Sequence, residues 1–276
     1  MMDESEQVAR AYNQYPQREW QRLERDAYHT LEYIVTWHML ERYLPPHGRV
    51  LDAGGGPGRY TLELCRRGYQ TVLADISPGS LALARQQFDA EPPAVQACLQ
   101  EMVVVDVRDL GRFQGDSFDA VLCLGGVITH LSAEEDRRQA LTELVRVTRP
   151  QGLVCIGTIG FLALLRYGLA YHPHEFFSPD FPALLKTGDA VGPTGSTWHF
   201  FRAAETRRLC ETHGMETLVM AGCEGLSTGL KEATNALQAN ETAWQRWLQV
   251  LLDTCTEPAV VDMAEHILYI GRKPAR

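Results

Sequence analysis

Val50-Leu51-Asp52-Ala53-Gly54-Gly55-Gly56-Pro57-Gly58-Arg59-Tyr60 is the stretch that decides the fold. An apolar run ends at an acid, glycines crowd a turn, and a helical pattern follows over residues 59–67. A buried strand that feeds a glycine-rich turn and then a helix is the entry of an α/β unit. Glycine lets the chain turn sharply and lets a ligand approach the main chain. The helix N-terminus beyond it offers unpaired N–H groups to a carboxylate or phosphate. The spacing separates two ligand classes. In the dinucleotide fingerprint G-x-G-x-x-G, counted from Gly54, the third glycine falls at position 59, which is Arg59. Here the glycine stands at Gly58. Asp52 adds a carboxylate that a pyrophosphate does not need and an ammonium group does. Asp52, Gly54, Gly56 and Gly58 therefore suit a ligand with a positive amino group and no phosphate.

Working outward, strand and helix alternate. Residues 71–74 read as a strand ending at Asp75. Ser77 and Pro78 then open a helix to about residue 88, as cap and first-turn proline. Residues 102–105 read as a strand ending at Asp106, and residues 118–124 as one ending at Gly125-Gly126. A helix over 133–147 is opened by Ser132, with Glu135 three residues on as a capping box. Residues 153–158 are a strand. This rhythm predicts a parallel sheet with helices on both faces. Later, 203–213 reads as a helix closed by Gly214, 216–221 as a strand, 236–254 as one long helix and 266–271 as a final strand. Before the glycine stretch, residues 1–45 read as a helical cap, interrupted at Pro16 and closed by Pro45-Pro46 and Gly48. The expected division is a single domain over 1–276: cap 1–45, ligand-binding half 46–159, a lid 160–201, and 202–276 as the C-terminal half of the sheet.

Composition removes several classes. The chain has 276 residues, 45% of them hydrophobic, with 26 Lys+Arg against 35 Asp+Glu and a net charge of −9. An acidic chain argues against a dominant nucleic-acid surface, which needs clustered Lys and Arg. The start, Met1-Met2-Asp3-Glu4-Ser5-Glu6, lacks the basic and apolar regions of a signal peptide. No apolar run reaches the roughly 18 residues of a transmembrane helix. The seven cysteines are odd in number and irregularly spaced, without CxxC. That fits reduced thiols and a cytoplasmic location better than disulfides or zinc.

The stretch from about 12 to 160 resembles the class I SAM-dependent methyltransferases, with Asp52–Gly58 matching their first motif. The resemblance implies a Rossmann-like, mostly parallel seven-stranded sheet whose last strand is inserted antiparallel. It implies S-adenosyl-L-methionine (SAM) as cofactor and S-adenosyl-L-homocysteine (SAH) as product. The glycine loop would face the methionine portion of SAM. Asp75, with Ile76, would accept the ribose hydroxyls, Asp106 and Val107 would meet the adenine, and Leu124 and Gly125 would offer backbone. Tyr15 and Arg18, in a segment that closes over SAM in comparable enzymes, are further candidates for binding the cofactor.

The acceptor is less defined. Residues 160–201 gather many aromatics and three of the nine histidines, as a pocket wall would. Tyr171, His172, His174, Trp198 and His199 are the candidates for binding the substrate, and no metal is expected. His130, six residues after Leu124, is the candidate base for a hydroxyl or thiol. The chain lacks the Asn/Asp-Pro-Pro-aromatic motif of enzymes that methylate base or glutamine nitrogens. The expectation is a small-molecule O, S or N acceptor, with no membrane partner. The alternatives are an RNA or protein methyltransferase, a non-catalytic SAM-binding protein, and an NAD-linked oxidoreductase.

Overall fold

The computed structural model describes residues 4–192 and 195–275. Residues 1–3 of the N-terminal reading and Pro193-Thr194 of the 160–201 stretch lie outside them. Three helices come first: α1 (Glu4–Gln14), α2 (Pro16–Arg22) and α3 (Ala27–Tyr43). The glycine stretch follows β1 (Arg49–Ala53) and leads into α4 (Arg59–Arg66). Then come β2 (Gln70–Asp75), α5 (Pro78–Asp89), the short α6 (Pro93–Gln96), β3 (Leu99–Val104), β4 (Phe118–Cys123), α7 (Glu134–Val147) and β5 (Thr148–Ile159). The lid stretch holds α8 (Phe161–Tyr171), α9 (Phe181–Thr187) and a small hairpin, β6 (Asp189–Val191) with β7 (Thr197–His199). The chain ends with α10 (Ala203–Thr212), β8 (Glu216–Gly222), α11 (Lys231–Leu237), α12 (Glu241–Thr254), α13 (Pro258–Met263) and β9 (His266–Arg272).

Seven strands form one sheet in the order β3-β2-β1-β4-β5-β9-β8. The first five are parallel, and β9 lies antiparallel between β5 and β8. The parallel strands are those the strand–helix rhythm predicts, and the antiparallel last strand is the one the family resemblance implies. Side chains alternate between two buried layers. Leu51, Val72, Val121, Val154 and Ile267 pack with α7 and α10 on one face. Val50, Ala120, Leu122, Cys155 and Leu268 pack with α3 and α4 on the other. The order in which successive strands are added reverses at β1, whose neighbours are β2 and β4. A crevice opens there, at the carboxyl ends of the strands.

Local chemistry sets the helix starts. Ser77 caps α5 by accepting from the Ser80 backbone N–H at 3.0 Å, and Asp26 caps α3 through His29 in the same way. Two expectations need correction. The capping box at Ser132 and Glu135 does not form: α7 starts at Glu134 after Ala133, and no side chain caps it. The Ser132 hydroxyl instead donates to Glu4 of α1 at 2.8 Å, a partner 128 residues away that local spacing does not reveal. The helix expected over 236–254 is two helices. Asn240 ends the first stretch and caps α12, accepting from the Ala243 N–H at 3.0 Å.

Candidate functional site

A cleft of about 1090 Å³, counting its open mouth, lies at the carboxyl ends of β1 to β4. Its lining includes Asp52, Gly54, Gly56, Asp75, Ile76, Asp106, Val107, Leu124, Gly125 and His130. The β1–α4 turn shapes its floor. Gly54 has φ +78°, and a Cβ there would lie 2.5 Å from Val127, so only glycine fits. Gly58, at φ +81°, is the left-handed residue from which α4 starts. It packs towards Leu73 and Ala84, beneath the turn and outside the cleft lining.

The acids at the strand ends differ in state. Asp52 is buried at 1% exposure. Its Oδ2 accepts from the Thr61 hydroxyl at 2.6 Å, while its Oδ1 is buried with no partner. Burial pushes its carboxyl up to about 6. Asp75 accepts from the backbone N–H of Gly56 and of Ser77, both at 2.7 Å. Burial outweighs those two donors and pushes it up to about 6 as well. For Asp106, burial also acts upward, but hydrogen bonds from Arg108 prevail and hold it below the usual carboxylate range. Arg108 reaches Asp106 at 2.7 Å and Asp136 at 2.8 Å, and Ser5 of α1 donates to Asp106 at 3.2 Å.

The N-terminal helices roof the cleft. Tyr12 of α1 meets His130 Nε2 at 3.0 Å, and Asn13 accepts from Ser77 and from the Gly79 N–H. Burial raises the Tyr12 phenol above its ordinary value, so it is neutral. His130 sits in the turn after β4, its ring edge-on to Trp198 with centroids 4.7 Å apart. Burial pushes it down to about 4, and its Nδ1 has no partner. A neutral ring with so weak a basicity is a poor proton acceptor for an ammonium group. Arg22 of α2 also lines the cleft, gripped by Glu19 and Glu32. Sequence reading passed over Tyr12, Glu19, Arg22 and Arg108. The signal available was Tyr12 in the apolar period of the first helix, which marks a buried face without naming its partner.

Other candidates lie elsewhere. Tyr15 is 64% exposed, and Arg18, in the first turn of α2, is exposed as well. Of the N-terminal segment it is Tyr12 and Arg22, rather than Tyr15 and Arg18, that line the cleft. Tyr171 and His172 pack on Tyr167 at the outer end of α8, and His174 is exposed. His199 is buried between Asp189 at 2.7 Å and Glu205 at 2.8 Å, where it ties the hairpin to α10. Trp198 meets the site at His130.

Residues 51–156 match the family model described as a methyltransferase domain. A glycine/sarcosine N-methyltransferase from Parasynechococcus marenigrum is 35% identical over 131 residues, 47% of this chain and 45% of that protein. A tRNA 5-carboxymethoxyuridine methyltransferase from Escherichia coli is 27% identical over 160 residues, 56% of this chain and 59% of that protein. The chain thus spans about half the length of these curated relatives. A SAM-dependent methyltransferase from Methanosarcina mazei has the same fold, with a TM-score of 0.59 and 20% identity over 86% of this chain and 98% of that one. Among the described residues, no helix is long and apolar enough to cross a membrane.

Proposed function

We propose that this chain, whose residues 51–156 match the methyltransferase domain, transfers a methyl group from SAM to the nitrogen of a small-molecule amine. One observation supports this above the rest. The glycine turn, the unpartnered Asp52 Oδ1 and the strand-end acids Asp75 and Asp106 converge in one cleft at the switch point of the sheet. An orphaned buried carboxylate oxygen calls for a cationic donor, and the amino group of SAM is one. Asp75 is fixed by two backbone donors, and each oxygen keeps a lone pair for a ribose hydroxyl. Asp106 and Val107 border the end of the cleft suited to the adenine, and Leu124 and Gly125 would offer backbone near the methionine portion. The relatives named for glycine and sarcosine favour an amine acceptor over O or S.

SAM, when bound, supplies an electrophilic methyl group, and the acceptor lone pair must meet it in line. The chain's own contribution is position and dryness. α1 roofs the cleft and pins itself there through Tyr12 on His130, Ser5 on Asp106 and Asn13 on Ser77. His130 is our candidate for contact with the acceptor, as a neutral hydrogen-bonding group. A base with a pKa of about 4 does not strip an ammonium ion, so the acceptor binds as the free amine. On this reading 4–45 is the cap, and the 160–201 stretch closes the acceptor side through Trp198.

Calorimetric titration with SAM, SAH and NAD tests the cofactor. Transfer of labelled methyl to glycine, sarcosine and other small amines tests the reaction. Micromolar binding of SAM and SAH with label in an amine is the expected result. Binding of NAD alone, or of none of the three, overturns the proposal. Label appearing in tRNA rather than in amines would move the acceptor to nucleic acid.

A further inference from the structure

The turn after β4 that carries His130 is tied down along its backbone on both sides. Thr129 Oγ1 accepts from the Ile159 N–H of β5 at 3.2 Å. Arg137, buried, donates to the Leu131 carbonyl at 2.8 Å and to that of Ser132. These bonds place the chain but do not set the rotation of the His130 ring about χ2. Two aromatic rings do. Tyr12 stands edge-on with centroids 5.5 Å apart, its hydroxyl 3.0 Å from Nε2, and Trp198 stands edge-on at 4.7 Å. The unpartnered Nδ1 is thereby kept in one direction.

Trp198 is itself set from two sides of β7. The backbone of Gly192 rests on the indole, where a Cβ would fall 2.4 Å from the ring. The next side chain along the strand, on its opposite face, is His199, 4% exposed. Its Nδ1 lies 2.7 Å from Asp189 and its Nε2 2.8 Å from Glu205 of α10. Asp189 is the partner of His199 across the hairpin, so one imidazole ties both strands to α10. Beyond it the Phe201 N–H donates to the Ile159 carbonyl at 2.8 Å. The hairpin is therefore rooted at the same strand end as the turn of His130.

We propose that the hairpin is a positioning device for His130, the acceptor contact on the methyltransferase reading above. Asp189 and Glu205 act through His199 on Trp198, and Trp198 fixes the His130 ring and shields it from water. Trp198, His199, Glu205 and Gly192 are positioning residues, and His199 stands one step behind the substrate contact expected of it. A group that meets a reacting molecule needs such support, because a loosely held ring spreads its nitrogen over many directions.

NMR of the histidine-labelled full chain tests it, with the His130 ring resonances assigned from His130→Asn. Burial keeps His130 at about 4, so in the unaltered protein those resonances should stay still from pH 7 to about 5. Gly192→Ala is the deciding variant, because it removes no bond or charge and only sets a methyl group against the indole. It should push Trp198 off the ring, admit water and raise the His130 midpoint by about one pH unit or more. Glu205→Leu should do the same. Glu205→Gln, whose amide oxygen still faces His199 Nε2, should not. On a Trp198→Ala background Gly192→Ala should add nothing further. SAH binding, titrated on the same samples, should be unchanged in all of them. If His130 stays still in Gly192→Ala, or moves as far when Trp198 is already alanine, the device is wrong. If Gly192→Ala moves it and Glu205→Leu does not, the anchor at His199 is wrong. Failure of the unaltered protein to bind SAH brings down the methyltransferase reading alone, since the resonances of His130 report on the hairpin without any ligand.

Discussion

Burial pushes Asp52 and Asp75 up to about 6 each, so both titrate just below neutral pH in the ligand-free protein. A cationic amino group and ribose hydroxyls both favour the ionised form. SAM affinity should therefore hold steady from pH 8 to 7 and fall as the pH drops through about 6. Binding at pH 5.5 should release protons, which calorimetry in buffers of different ionisation enthalpy would count. A flat affinity profile from pH 7 to 5 would contradict the assignment of these acids. Asp75→Ala should weaken SAM at least tenfold, since two charge-assisted hydrogen bonds at roughly 1.5–3 kcal/mol each depend on it. His130 carries a separate prediction. The amide of asparagine falls near the Nδ1 position of histidine, and that of glutamine near Nε2. If the unpartnered Nδ1 meets the acceptor, His130→Asn should raise the acceptor KM less than His130→Gln, with SAM affinity unchanged in both. kcat/KM should rise with pH towards the pKa of the acceptor amine. A limb near pH 4 to 5 that disappears in the variants would instead mark His130 as a base.

Among elements, helix starts show what the sequence discloses and what it withholds. Ser77-Pro78 announces α5, and its cap forms as written. Ser132 carries the same local signal and caps nothing, because Glu4 takes its hydroxyl. Ser77→Ala should then cost about 1 kcal/mol of stability, as lost caps do, although its second bond to Asn13 adds to that. Ser132→Ala should cost less than about 0.5 kcal/mol, the scale of a surface change. Chemical denaturation of both variants checks this, and equal losses would restore the capping box. Asn240→Ala, at the break that the long-helix reading missed, should cost about 1 kcal/mol in the same assay. The contrast also explains which site residues were legible. Asp52, the glycines, Asp75 and Asp106 follow strands whose apolar runs are written in order, so their shared edge follows from the fold. Tyr12 and Arg22 lie on short helices whose docking is decided by His130, 118 residues from Tyr12, and by Glu32 within α3. The helical period shows that α1 buries one face and leaves open what that face meets. Tyr15, which stands between α1 and α2, and Arg18, in the first turn of α2, are both exposed.

At the scale of the whole molecule, a buried charge network binds the N-terminal helices to the far half of the sheet. Glu32 of α3 joins Arg22 of α2 to His266, the first residue of β9, and Glu224 accepts from both the ring and the backbone N–H of His266. Beside it, Tyr28 of α3 donates to Glu265 at 2.7 Å. Burial alone would lower the His266 imidazole, but Glu32 and Glu224 outweigh it and raise the ring to about 10. Glu32 is also held below the usual carboxylate range, its own burial outweighed by Arg22. These shifts set a pH window for stability. A histidine raised in the folded state binds its proton more tightly there than in the unfolded chain. Its contribution is complete below the unfolded value near 6.5 and is lost as pH rises through about 10. Glu32 works in the opposite sense, contributing above the ordinary carboxylate pKa and losing that contribution in acid. The unfolding midpoint should therefore decline from pH 7 to pH 10. Buried thiols with raised pKa values, such as Cys65 at about 11, steepen the same limb, so a variant is needed to isolate the histidine. Glu224→Gln removes one of the two carboxylates that hold the imidazolium. It should destabilise the protein by about 3 kcal/mol at pH 7, the scale of a broken buried pair. It should also shift the alkaline decline to lower pH, because the ring releases its proton sooner. Denaturant titrations from pH 6 to 10 on both proteins measure the two effects together. Parallel curves with a constant offset would show that His266 does not carry the charge that joins the cap to the sheet.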